Sequence, residues 1–254
     1  MESLRRCLTP RTRVVSFCHV SNVLGTVNPA AEIVRMAHKA GAVAVIDGAQ
    51  ASPHMAIDVS ALDADFYAFS SHKMYGPTGV GVLYGRHSLL EKMPPYQGGG
   101  EMIARVSFDG TTFAAPPFKF EAGTPDFTAI AALGQALDFM AEIGLDNIAG
   151  YEHRLLEYAT ESMTRRVPGL RIFGTAPGKG PVISFLIGSA HHYDTGMLLD
   201  KFGVAVRTGH HCAQPLMDFL GISGTVRASF AVYNTAAEVD AFVDDLVRIA
   251  PMLQ

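Results

Sequence analysis

Apolar runs and polar breaks alternate regularly over the first third of the chain. "VVSFCHV" (14–20) is a short β-branched run of the kind that forms a buried strand. "NPAAEIVRMAHKAG" (28–41) repeats apolar positions at helical spacing, with Asn28 as N-cap, Pro29 at the first helical position and Gly41 closing the end. "AVAVIDGAQ" (42–50) predicts a second buried strand, and "ADFYAFSSHK" and "GVGVLYG" predict two more. Strand, helix and strand in this order predict βαβ units and a mostly parallel sheet with helices, an α/β fold. From Leu89 to Pro125 the chain is rich in Gly and Pro and weakly periodic, as functional or interface segments are. Helices follow at 127–144 and 145–167, the second amphipathic through Ile148, Tyr151, Leu155, Tyr158, Ala159 and Met163. After Pro168, short strands at 170–174, 181–187, 204–208 and 225–230 interleave with helices near 194–202, 214–220 and 235–249. The change predicts two domains: 1–145 with the parallel sheet, and a small α+β domain at 146–254.

Composition narrows the function. The chain has 254 residues, of which 48% are hydrophobic, so it can build a sizeable core. The net charge of −4 comes with both signs interspersed and no basic block, which argues against a nucleic-acid partner. No apolar run approaches the roughly 20 residues that span a bilayer, and the opening "MESLRRCLTPRTR" does not read as a secretory signal. Three cysteines, Cys7, Cys18 and Cys212, are too few and too odd for a disulfide framework, so a reducing, cytoplasmic setting is expected.

Candidate chemistry collects where predicted strands end, since ligands of α/β sheets gather at carboxyl ends. Asp47 follows "AVAVI"; Ser70, His72 and Lys73 follow "DFYAF"; His19, Ser21 and Asn22 follow "VVSFC". A lysine in a partly dry rim is suited to Schiff-base chemistry, and an acid nearby could keep a pyridine nitrogen protonated, as pyridoxal phosphate requires. Ser70 and His72 could donate to a phosphate, and Gln50 could reach a ring hydroxyl. Plainer readings stand beside these. Asp47 before Gly48 fits a turn, and Lys73 could lay its stem on apolar neighbours with its charge in solvent. "GPTGVG" lacks the ending of a phosphate-binding P-loop, and the pair at 191–192 reads as a solvated loop.

A second cluster is "VRTGHHCAQP" (206–215). Cys212 lies in a loop with two histidines and Arg207, surroundings that favour thiolate. Zinc is the competing use of His210, His211 and Cys212, but contiguous ligands suit tetrahedral binding poorly, and no metal is expected. Cys18, in its apolar run, reads as an ordinary buried cysteine. Arg227 of "TVRASF" is either a surface ion-pairing group or a bidentate grip on a carboxylate.

Taken together, "HVSNVLGT", "DGAQASPH", "DFYAFSSHKMYGPTGVGVLYG", "GGGEMI", "FEAGTPDF", "RTGHHCAQP" and "RASFAVYNTAAEVD" resemble the successive signatures of the SUF-type cysteine desulfurase/selenocysteine lyase family. These are class V aminotransferase-like enzymes of the pyridoxal-phosphate fold-type I class. The resemblance implies part of a fold-type I large domain followed by a small C-terminal domain. It implies that Lys73 carries pyridoxal 5'-phosphate as a Schiff base, with Asp47 on the pyridinium nitrogen, Gln50 on the phenolic oxygen, and Ser70 and His72 on the phosphate. Thr124 would reach the phosphate of a neighbouring subunit in a homodimer. Asn22 and Arg227 would hold the substrate carboxylate, Arg207 would line the pocket, and Cys212 would take sulfur from L-cysteine, or selenium from L-selenocysteine, leaving L-alanine. The persulfide would pass to a sulfur-acceptor protein of the SUF system for iron–sulfur cluster assembly. In the family a further stretch precedes the "HVSN" strand, whereas about a dozen residues precede it here, so an N-terminally truncated form is expected. The alternatives are an inactive remnant that acts only by binding a partner, and another class V lyase or aminotransferase.

Overall fold

Helices and strands in the computed structural model, which describes residues 1–253, follow the apolar pattern closely as far as Ser70. Contacts divide the chain into two units. The first comprises Met1–His19, Pro29–Pro53 and Ile57–Glu142; the second comprises Val20–Asn28, His54–Ala56 and the residues from Ile143 onward. Gln254, the last residue of the expected second domain, lies outside the described residues.

The first unit runs α1 (Glu2–Cys7), β1 (Val14–Cys18), α2 (Ala30–Lys39), β2 (Val43–Asp47), β3 (Phe66–Ser70), β4 (Gly81–Gly85), α3 (His87–Leu90), β5 (Ile103–Ser107), β6 (Gly110–Phe113) and α4 (Phe127–Ile143). Its main sheet has the order β1-β2-β3-β4. β1 to β2 and β2 to β3 are parallel, while β4 returns antiparallel to β3 through a loop too short for a crossover. Central β2 buries Ala44 and Ile46, and α2 lays Ala30, Ile33, Val34 and Ala37 on the sheet at i, i+3, i+4 and i+7. The start of α2 differs from expectation. Pro29 itself is the N-cap, and its carbonyl accepts from Glu32 and Ile33. The ring locks φ at −73°, while ψ of 75° keeps Pro29 outside the helix. The segment 89–125 is less irregular than expected, because β5 and β6 form a hairpin within it. Lys119 reaches back to α3, where its amine donates to the carbonyls of Leu90, Glu91 and Met93 at 2.9–3.1 Å, satisfying a helix end.

The second unit holds α5 (Leu145–Arg166), β7 (Leu170–Phe173), β8 (Val182–Ile187), α6 (His192–Lys201), β9 (Arg207–Gly209), α7 (Gln214–Leu220), β10 (Thr225–Ser229) and α8 (Ala236–Ile249). Its sheet, β7-β8-β10-β9, is antiparallel throughout. One core joins α5, α6 and α8 to it through residues such as Met163, Leu199, Phe185, Val226 and Leu246. Thr235 and Glu238 form a reciprocal capping box that starts α8. β9 begins three residues later than its apolar pattern predicts. The amides of Gly203 and Val204 are taken by α6 carbonyls, so the chain is still finishing that helix there. His191 and His192 are not a solvated loop: His191 caps α6 and His192 opens it, half-buried.

No apolar period announces that Val20–Asn28 belongs to the second unit. Ser184 Oγ donates to the Val23 carbonyl at 2.6 Å, Gly180 N donates to the Gly25 carbonyl at 2.7 Å, and Val20 bridges Val27. These are tertiary hydrogen bonds between positions far apart in sequence.

Candidate active site

In the first unit, strand register sets the site. Cys18 pairs with Asp47, and Asp47 with Ala68, so the three parallel strands finish side by side. Two further ladder bonds extend the alignment, His19 N to the Asp47 carbonyl at 2.8 Å and Gly48 N to the Ala68 carbonyl at 2.7 Å. Asp47 is exposed at this rim, Gln50 half-buried, and Ser70 half-buried two residues beyond Ala68. Asp47 also acts as a turn residue, since its Oδ1 accepts from Ala49 N at 2.9 Å.

Lys73 sits at the end of a single 3-10 turn, Ser71–Lys73. Buried Ser71 anchors that turn. Its amide donates to the Val80 carbonyl, and its carbonyl accepts from Met74 and Gly76. A Cβ on Gly76 would lie 2.2 Å from Ser71 Oγ, so glycine is needed there. Lys73 is half-buried, and its Nζ has no hydrogen-bond or ion-pair partner among the described residues. His72 is exposed beside it, and Thr124 is exposed on the loop before α4.

Beneath Asp47 lies a buried pair that sequence reading did not assign. His19 Nδ1 and Tyr67 Oη share a hydrogen bond at 3.1 Å. Burial pushes the Tyr67 hydroxyl up to about 12, and the Asp47 charge adds to the shift; burial lowers the His19 imidazole. Both groups are therefore neutral near pH 7. The signal was Gly48, whose missing side chain leaves room for the Tyr67 ring. Cys18 is half-buried rather than buried, with its thiol pushed up by burial and then by Asp47.

The second unit gathers Asn22, Arg207, Arg227 and Cys212. Arg227 Nη1 donates to the Asn22 carbonyl at 2.8 Å, while its Nε is buried without a partner. Burial lowers the Arg227 pKa, with neighbouring Arg207 next in effect. Asn22 Nδ2 donates to the His211 carbonyl at 2.7 Å. Cys212 is exposed, with its sulfur 4.0 Å from Arg207 Nη2. His211 and Cys212 both have positive φ, 53° and 59°, and Ala213 N closes on the His210 carbonyl at 2.8 Å. This is the signature of a type I′ turn, whose central positions favour Gly and Asn. For an ordinary side chain each left-handed residue costs about 1–2 kcal/mol.

His211 itself is buried, with Nε2 3.1 Å from the Thr225 carbonyl and 2.9 Å from Thr225 Oγ1. A carbonyl only accepts, so Nε2 carries the proton and Nδ1, buried without a partner, carries the lone pair. Burial, followed by the charge of Arg227, holds its pKa down at about 4. Among the described residues no three His, Cys, Asp or Glu side chains converge as metal ligands would.

An aminotransferase class-V family profile matches residues 1–242. The chain belongs to the aminotransferase class-V family. Pyridoxal 5'-phosphate is the cofactor characteristic of class-V enzymes. Among relatives, the chain is 52% identical to a cysteine desulfurase of Cronobacter sakazakii and 53% identical to one of an Enterobacter species. Both matches use all of this chain and 62% of the relative, so the chain spans less than two thirds of the curated relatives' length. The crystal structure of the cysteine desulfurase CsdA (S-sulfonic acid) from Escherichia coli superimposes with a TM-score of 0.95 at 43% identity, over 100% of this chain and 63% of that one. The class-V fold, a mixed α/β structure with a parallel-containing sheet, is thus shared along the chain.

Proposed function

We propose that this chain belongs to a pyridoxal-phosphate-dependent cysteine desulfurase that takes sulfur from L-cysteine, releases L-alanine and holds the sulfur on Cys212. The Cys212 turn carries the reading. A thiol is exposed on a turn that ordinarily excludes such a side chain, close to Arg207, and its flank holds a buried guanidinium N–H with no partner.

The residues at the β2 and β3 ends fit the cofactor by their chemistry: a carboxylate (Asp47) for a ring nitrogen, an amide (Gln50) for a ring hydroxyl, Ser70 and His72 for a phosphate, and the unpartnered amine of Lys73 for an aldehyde. Bound there, pyridoxal phosphate supplies a sink for electrons from the substrate α-carbon. Asn22 and Arg227 hold the substrate carboxylate, the latter through its free Nε–H. Lys73 takes the α-proton on its amine nitrogen. The Cys212 thiolate attacks the substrate sulfur; an S–S bond forms as the C–S bond breaks, the electron pair left on the β-carbon takes a proton from solvent, and Lys73 returns its proton to the α-carbon as alanine leaves.

The same reading places part of the large domain of fold type I at residues 1–145 and its small C-terminal domain at 146–254, boundaries that differ from the contact units chiefly by giving Val20–Asn28 and His54–Ala56 to the large domain. It extends to L-selenocysteine as substrate, a SUF-type acceptor protein for the persulfide, a cytoplasmic setting and a homodimer in which Thr124 serves the partner's phosphate. The exposed thiols of Cys7 and Cys212 support a reducing compartment. Exposed Tyr96, Val106, Phe108, Phe118 and Phe127 support burial of the first unit against a second copy.

Borohydride reduction of the protein incubated with pyridoxal phosphate is expected to fix the cofactor on Lys73, read by peptide mass. Cys212→Ser should keep the cofactor absorbance and lose sulfide release from cysteine. Sulfide release from that variant at the wild-type rate would overturn the assignment and favour another class V lyase or aminotransferase.

A further inference from the structure

The turn that presents Cys212 is held from outside, and most of the hold passes through one residue. His211 occupies the first left-handed position of the turn and Cys212 the second. The His211 ring is anchored on Thr225 of β10, and its carbonyl is the acceptor for the Asn22 amide. The Asn22 carbonyl is in turn held by Arg227 of the same strand, β10. Two separate ties, one from the ring and one from the carbonyl, therefore restrain the peptide next to the thiol. The groups facing the sulfur are cationic: Arg207 at 4.0 Å, and Arg227 within electrostatic range of it. His210 is taken up within the turn, where its Nδ1 accepts from Cys212 N at 3.2 Å.

We propose that His211 is a positioning residue for the nucleophile: clamped between Thr225 and Asn22, it holds the His211–Cys212 pair left-handed and so sets the Cys212 sulfur beside Arg207. The proposal rests on the reading of Cys212 as nucleophile, but its test needs neither cofactor nor turnover. A thiol beside fixed cations meets an anionic alkylating agent more often than a neutral one. A thiol released into solvent loses that preference. General loosening of the fold would instead raise both rates together.

The measurement is the ratio of iodoacetate to iodoacetamide rates at Cys212, read on its own peptide by mass spectrometry so that Cys7 and Cys18 do not contribute. His211→Ala is expected to lower the ratio at least threefold. Arg207→Ala should lower it similarly, and the double variant no further, because both remove one and the same contact. His211→Gln, whose side-chain amide can still donate to the Thr225 carbonyl, should recover at least half of the loss. Should His211→Ala fail to fold, Asn22→Ala removes the other tie and is expected to lower the ratio in the same direction. An unchanged ratio in a folded His211→Ala or Asn22→Ala variant overturns the proposal. So does an additive loss in the double variant, or failure of His211→Gln to recover any of it.

Discussion

Gly48→Ala tests how the floor of the first unit's site is built. A Cβ at this position would lie 2.0 Å from Tyr67 Cε1, 2.3 Å from Cζ and 2.4 Å from Oη. Favourable carbon–carbon contact begins near 3.5 Å, so the ring must retreat by about 1.5 Å. Tyr67 is 1% exposed and has little room to do so. Its hydroxyl is 3.1 Å from His19 Nδ1, and a shift of that size breaks the bond while both partners stay buried. Overpacking costs about 1–3 kcal/mol, and leaving a buried polar group unpaired about 1–3 kcal/mol more. The lower chain entropy of the unfolded alanine variant returns less than about 1 kcal/mol. Together these give a loss of about 1–6 kcal/mol in the first unit. Urea unfolding with pulsed alkylation of Cys18, on neighbouring β1, reads that unit specifically. Tyr67→Leu opens the space, so Gly48→Ala combined with Tyr67→Leu should be no less stable than Tyr67→Leu alone. A loss below about 1 kcal/mol in the single variant, or additive losses in the pair, would refute the close-approach argument.

The His211 pKa of about 4 lies below the 6.5 of an unperturbed imidazole, so the unfolded chain takes up the proton first as pH falls. The second unit should hold this contribution above pH 6.5 and lose it progressively toward pH 4, by about 3 kcal/mol at most. Urea midpoints between pH 7.5 and 4.5 should fall less steeply in His211→Gln, and an equal slope would count against the assignment. In the second unit His54 Nδ1 is 2.8 Å from Glu152 Oε2, and Glu152 is 1% exposed with Oε1 unpartnered. His54→Ala leaves a buried carboxylate alone and should cost about 3–5 kcal/mol by urea unfolding; adding Glu152→Gln should restore part of it, and no restoration would show that the charge is not the cause.

Local pattern made most elements legible, and nonlocal hydrogen bonds account for the rest. The strand ending at Asp47, the helix from Ala30 and the helix ending at Ile249 follow from apolar period and end signals alone. The carboxyl-end placement of Asp47 and Ser70 also followed, because parallel register fixes it once the strands are known. What escaped the sequence was the membership of Val20–Asn28 in the second unit. Asn22 follows directly after a strand of the first unit, yet its partners are His211 and Arg227. Nothing within a few residues of Asn22 encodes bonds to positions 189 and 205 residues away. The pairing of His19 with Tyr67 is a nonlocal contact of the same kind, with Gly48 as its one local trace.

The three thiols show how little residue type alone decides. Cys7 lies exposed on α1, a short helix with no buried residue. Cys18 lies on a strand, where burial and the Asp47 charge oppose ionisation and leave it a poor nucleophile. Both occupy regular backbone that any of several residues could take. Cys212 alone stands where φ is positive and glycine would be the easier choice. Glycine has no sulfur, so a chain that needs a thiol at this point must accept the strain and offset it elsewhere. The offsets are the His211 ring on Thr225 and the Asn22 amide on the His211 carbonyl, both tied to the rigid strand β10 directly or through Arg227. Strain held in place by such specific contacts is what the proposed use of Cys212 as a nucleophile calls for.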